Sequence, residues 1–105
     1  DYDVDGTSAI VILKTVLDLL GARTQAFVPH RIEDGYGMKV DRLEAAAAEG
    51  VRLVVSVDTG IRAGEVVRHG NRLGLDTIVT DHHLPESELP PAVAVLNPNQ
   101  PECGY

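Results

Sequence analysis

The sequence has one cysteine, no tryptophan, one phenylalanine and three tyrosines. A lone thiol, Cys103, excludes an internal disulfide and fits a reducing compartment, so a cytoplasmic setting is expected. Scarce aromatic rings exclude a self-contained surface on which bases of a single strand could stack. Cations are short as well: nine Lys and Arg stand against sixteen Asp and Glu, a formal charge of −7. Clustered cations are what hold a phosphate backbone, so these residues cannot grip nucleic acid by themselves. No run approaches the roughly 18 apolar residues of a membrane span, and no basic, apolar signal pattern opens the chain. No membrane association is expected.

What is present is a chain of 105 residues, 44% of them hydrophobic, enough for one globular unit with a small core. It starts inside a dense acidic motif without an initiating Met, and it stops in the turn-rich Asn97-Pro-Asn-Gln-Pro-Glu-Cys-Gly-Tyr105. Residues 1–105 are therefore expected to be part of one domain, truncated at both ends. Residues 24–28, 52–57, 77–80 and 92–96 are short and rich in Val, Ile or Ala, as in strands buried on both faces. Helices are expected over 7–20, 39–49 and 62–73, with Gly21, Gly50 and Gly74 following as left-handed caps. Ile10, Leu13, Leu17 and Leu20 give the first helix an apolar stripe for packing on a sheet. Alternating helix and strand with short links predicts an α/β fold, a parallel sheet flanked by helices. Functional groups in such sheets collect in the crevice beyond the carboxyl ends of the strands.

Three acidic motifs fall at that edge. Asp1-Tyr-Asp-Val-Asp-Gly-Thr-Ser8 places carboxylates at alternate positions, so that an extended backbone would aim them at one cation. Gly6 is then the turn into the helix and Thr7 or Ser8 its cap. The run resembles the start of a calcium loop, but the twelfth position, which needs a bidentate Glu, is Ile12. Asp58 directly follows the apolar Leu53-Val-Val-Ser-Val57; an acid there is costly to bury unpaired, so it caps the next helix or binds a cation. Asp81-His-His83 follows Thr77-Ile-Val-Thr80. Adjacent histidines on extended backbone point apart, leaving one for a metal and one for a substrate. Several Asp with one His suit Mn²⁺ or Mg²⁺ better than structural Zn²⁺, for which no Cys cluster exists. His69, alone between Arg68 and Arg72, is expected in solvent.

Taken together these motifs resemble the DHH phosphoesterase superfamily, whose signature is Asp-His-His, and Asp-Tyr-Asp-x-Asp-Gly resembles its RecJ branch. The resemblance continues through Pro29-His-Arg-Ile-Glu-Asp-Gly-Tyr-Gly37, Val55-Ser-Val-Asp-Thr-Gly60, Thr80-Asp-His-His-Leu-Pro85 and Asn97-Pro-Asn-Gln-Pro101. It implies a DHH domain, a Rossmann-like three-layer fold, and phosphodiester hydrolysis by two Mn²⁺ or Mg²⁺ ions. Asp3, Asp5, Asp58 and His82 would be ligands, with Asp58 bridging, and His83 the catalytic histidine. Asp1 and Asp81 would orient loop and imidazole, Arg31 would contact a substrate phosphate, and Gly35 and Gly37 would serve loop geometry. In the RecJ branch the implied reaction is 5′-to-3′ digestion of single-stranded DNA in recombination and repair, with the strand gripped mainly by domains absent here. Related enzymes that cleave short oligonucleotides, cyclic dinucleotides or pyrophosphate are the alternative within hydrolases. A catalytically inactive DHH-like scaffold is the alternative outside them.

Overall fold

A computed structural model describes residues 4–28 and 38–104. Its elements are α1 (Val4–Leu19), α2 (Val40–Ala48), β1 (Leu53–Val57), α3 (Gly64–Arg72), β2 (Asp76–Thr80) and β3 (Ala94–Leu96). The strands form one parallel sheet in the order β1-β2-β3. Helix α1 packs on β1, α3 on β2, and α2 on α3. The α/β architecture expected from the alternation of elements is thus the observed one.

Branched apolar side chains make the strands, and the core forms where α3 lies on β2. Val67 and Val79 are fully buried, and Leu75, Ile61 and Leu43 are nearly so. Burial on both faces holds only in part: Leu53 on β1 remains half exposed, and β3 has no fully buried residue. The three glycine caps are as expected. Gly21, Gly50 and Gly74 have φ of 90°, 93° and 82°, a region that side chains with a Cβ disfavour. After each, the next residue's N–H reaches back across the helix end: Ala22 to Leu17, Val51 to Ala46, and Leu75 to Gly70.

Two expectations fail. Residues 24–28 are not a strand; a strand is defined by its ladder, and no described residue pairs with this segment. Side chains hold it instead. Lys14 Nζ donates to the Thr24 carbonyl (3.2 Å) and hydroxyl (2.8 Å), that hydroxyl donates to Asp18, and the Arg42 guanidinium lies 4.2 Å over the Phe27 ring. Helix α1 begins at Val4, not at Thr7, so Asp5 and Gly6 belong to its first turn. Gly6 is buried inside the helix and is not a turn before it. Of the predicted stripe, Ile10, Leu13 and Leu17 are half-buried, while Leu20 is exposed together with Val11, Ile12, Val16 and Leu19.

Candidate metal centre

The sheet places the site. Val57 pairs with Thr80 and Thr80 with Leu96, so all three strands end in register. One step further stand Asp58, Asp81 and Asn97, each polar and each buried to 7% exposure or less. Backbone bonds continue the ladder into this row: Asp58 N–H to Thr80 O (2.9 Å) and Asp81 N–H to Leu96 O (3.1 Å).

Asp58 takes φ of 59°, the only non-glycine residue at positive φ among those described. Asp tolerates that conformation better than most side chains, though at some cost. The turn beyond it is held by Ser56, whose hydroxyl donates to Thr59 O (2.9 Å), and by Thr80, whose hydroxyl donates to Ser56 O (2.7 Å). Gly60 follows at φ 108°, where a Cβ would meet Ser56 Oγ at 2.6 Å. Helix α3 is entered at Ala63 without any side-chain cap, so Asp58 does not cap it. Its Oδ1 lies 2.7 Å from His82 Nε2, and its Oδ2 is buried with no hydrogen-bond partner among the described residues. An unpartnered buried carboxylate oxygen costs a few kcal/mol unless something else satisfies it.

Asp81 is the opposite case. Its Oδ1 accepts the backbone N–H of His82 (2.8 Å), that of His83 (3.3 Å) and His83 Nδ1–H (2.6 Å), and its Oδ2 accepts Ile61 N–H (3.1 Å). Burial by itself would raise its pKa. The bonds from the His83 ring and from the backbone of Ile61, His83 and His82 outweigh burial and hold the carboxyl below the usual carboxylate value.

This bonding folds the backbone after β2, so the two imidazoles do not diverge as extended backbone would require. Their centroids are 4.6 Å apart at an angle of 34°. With Nδ1 tied to Asp81, Nε2 is the remaining nitrogen of a half-exposed His83 ring. Asp58, His82 and His83 each offer a ligand atom within 4.8 Å of the others. Asp5, Ala9, Val57, Thr80 and Asp81 join Asp58 and His82 around an open crevice of about 380 Å³. The donor set of carboxylate oxygen and imidazole nitrogen fits a divalent cation such as Mn²⁺, and the unsatisfied Asp58 oxygen is what such an ion would satisfy.

Of the residues singled out in the sequence, Asp5, Asp58, Asp81, His82 and His83 thus come together at one edge of the sheet. Asp1, Asp3, Arg31, Gly35 and Gly37 lie outside the described residues. His69 is not free in solvent: it is half-buried, and its Nε2 lies 3.2 Å from Glu44 Oε1, joining α3 to α2. Two site residues escaped the chemical reading. Asn97 Nδ2 donates to the His83 carbonyl (2.9 Å), and Asn99 Nδ2 to the His82 carbonyl. The sequence marked Asn97-Pro-Asn-Gln-Pro101 as part of the family resemblance but gave its amides no role.

A parallel sheet whose strand ends deliver acids and imidazoles to one crevice defines an α/β domain with a candidate metal-binding edge. The chain belongs to the DHH family: the model described as "DHH family, N-terminal domain" matches residues 1–104. It is 42% identical, over its whole length, to the single-stranded-DNA-specific exonuclease RecJ of Dickeya dadantii and 38% identical to that of Bacillus subtilis. It spans only 18% and 13% of those proteins. A crystal structure of exonuclease RecJ bound to manganese superposes with a TM-score of 0.87 at 38% identity, over 97% of this chain and 26% of that one. RecJ from Thermus thermophilus in complex with Mn²⁺ gives 0.79 at 32% identity, over 100% of this chain and 14% of that one.

Proposed function

We propose that this chain carries the hydrolytic centre of a single-stranded-DNA exonuclease that removes nucleotides from a 5′ end, using two divalent ions, Mn²⁺ or Mg²⁺. The observation that supports it most is the Asp58 carboxylate, buried, left with an unsatisfied oxygen and set beside two imidazoles at the carboxyl edge of a parallel sheet. The RecJ relatives, with manganese in their solved structures, supply the substrate class and the metal. Asp3, Asp5, Asp58 and His82 would hold the ions. When bound, they supply Lewis acidity toward a phosphodiester and lower the pKa of attacking water.

The protein's own groups do the rest. Asp81 fixes the His83 ring through Nδ1, which leaves Nε2 as the atom that meets a phosphate oxygen and gives it a proton or a hydrogen bond. Asp1 orients the acidic loop and Arg31 meets a substrate phosphate. Aromatic and cationic surfaces for the strand come mainly from outside these 105 residues, in a cytoplasmic protein of recombination and repair.

The test is hydrolysis of a labelled single strand by the intact protein in Mn²⁺. Release of nucleotides from the 5′ end should stop in EDTA and return with Mn²⁺. Activity that persists in EDTA would overturn the metal assignment, and digestion confined to dinucleotides or pyrophosphate would move the substrate to the smaller phosphoesters.

A further inference from the structure

The sheet ends in three polar residues, and the proposed chemistry uses two of them. Asn97, the third, is the most buried of the row at 4% exposure. Both polar atoms of its side chain are engaged: Nδ2 donates to the His83 carbonyl (2.9 Å), and Oδ1 accepts the N–H of Asn99 (2.7 Å). That second bond turns the chain back so that Asn99 Nδ2 reaches the His82 carbonyl. Gln100 closes the turn, its Nε2 donating to the Asn97 carbonyl (3.1 Å). Two consecutive backbone carbonyls, one for each histidine, are thus held by two amides from the turn that follows β3.

We infer that Asn97 and Asn99 form a positioning clamp for the two histidines, Asn97 setting the reach of His83 toward the substrate phosphate and Asn99 setting His82 as a ligand. Asp81 holds the same dipeptide from the other side, by its N–H groups. The loop after β2 therefore has its donors fixed by β2's own aspartate and its acceptors fixed by the turn after β3. With the N–H and C=O of each histidine held, and each ring bonded to an aspartate, the imidazoles are kept in place, which is what a reacting group and a metal ligand require. The inference rests on the proposed hydrolytic reading. It adds that β3, which contributes no acid and no imidazole, is part of the working edge.

Single substitutions in the intact protein separate the two arms. Asn97→Asp keeps the shape and the Oδ1 acceptor for Asn99 but loses the amide donor to His83; it should lower kcat at saturating Mn²⁺ by about 10–100-fold with KM for the strand unchanged. Asn99→Ala, on the exposed side of the turn, should raise the half-activating Mn²⁺ concentration by about 10-fold or more while kcat at saturating metal is kept. Asn71→Ala removes a side-chain bond of the same type, to the Pro91 carbonyl (3.0 Å), far from the histidines, and should change neither. Asp58→Asn reports on the hydrolytic reading itself. If Asp58→Asn is inactive while Asn97→Asp and Asn99→Ala both match the wild type, the clamp is refuted and the hydrolytic reading stands. If Asp58→Asn retains full activity, the hydrolytic reading falls first. Where Asn97→Asp lowers the melting temperature, the Mn²⁺ dependence of Asn99→Ala decides alone.

Discussion

The ends of β1 and β2 carry the same pairing, an aspartate one residue past the strand in contact with a histidine, and they are built in opposite ways. At the end of β2 every oxygen of Asp81 is used, backbone geometry is ordinary, and the carboxyl is held ionised by four hydrogen bonds. At the end of β1 Asp58 stands at φ 59° with Oδ2 unpartnered among the described residues. One end is arranged for its own stability and the other against it. The proposed role of Asp58 as a metal ligand accounts for that contrast, while the satisfied Asp81 serves its neighbours.

Substitution should expose that difference. Asp58→Asn should reduce strand hydrolysis by on the order of 10³-fold, since metal stabilisation of the transition state is worth several kcal/mol. Its metal-free melting temperature should hold or rise, because a buried charge is removed; a marked fall in stability by calorimetry would erase the contrast. Asp81→Asn should lose about 10–100-fold in activity and also melt earlier, since an amide NH₂ would face an N–H group that now meets an oxygen. Activity and stability must fall together there. Gly60→Ala tests the turn that holds Asp58: at φ 108°, with Ser56 Oγ in the way, it should cost about 1–3 kcal/mol in urea unfolding. The smallest effect is expected at Thr77, whose Oγ1 is the other buried side-chain atom without a partner among the described residues. It lies away from the acids and imidazoles, so Thr77→Val should change stability by less than about 1 kcal/mol and leave hydrolysis untouched. A large loss of activity there would mean that the working groups are not confined to the carboxyl edge of the sheet.

Much of this was legible in the sequence because it depends on local pattern. Apolar runs ending in Asp58 and Asp81 gave both strand and edge, and the glycines after each helix gave the caps. What depends on partners was not legible. Residues 24–28 have strand composition, yet composition cannot supply a ladder, and Lys14, Asp18 and Arg42 hold the segment instead. The start of α1 was misplaced because Gly6 reads as a breaker, whereas in the fold it is a small residue admitted to a buried first turn. The imidazoles were expected to diverge because extended backbone alternates; Asp81 bends that backbone. Asn97 and Asn99 carry no charge and no reactive atom, so only their contacts reveal what they do.

Because Val57, Thr80 and Leu96 lie abreast, the hydrogen-bond ladder serves as a ruler for everything mounted beyond it. Slipping one strand by a single residue would shift its terminal side chain by about 3.3 Å and turn it to the opposite face. Metal–ligand distances tolerate only about 0.2 Å. Insertions should therefore be borne in the connections around α2 and α3, while a one-residue insertion inside any of the three strands should abolish the proposed hydrolysis even if the protein still folds.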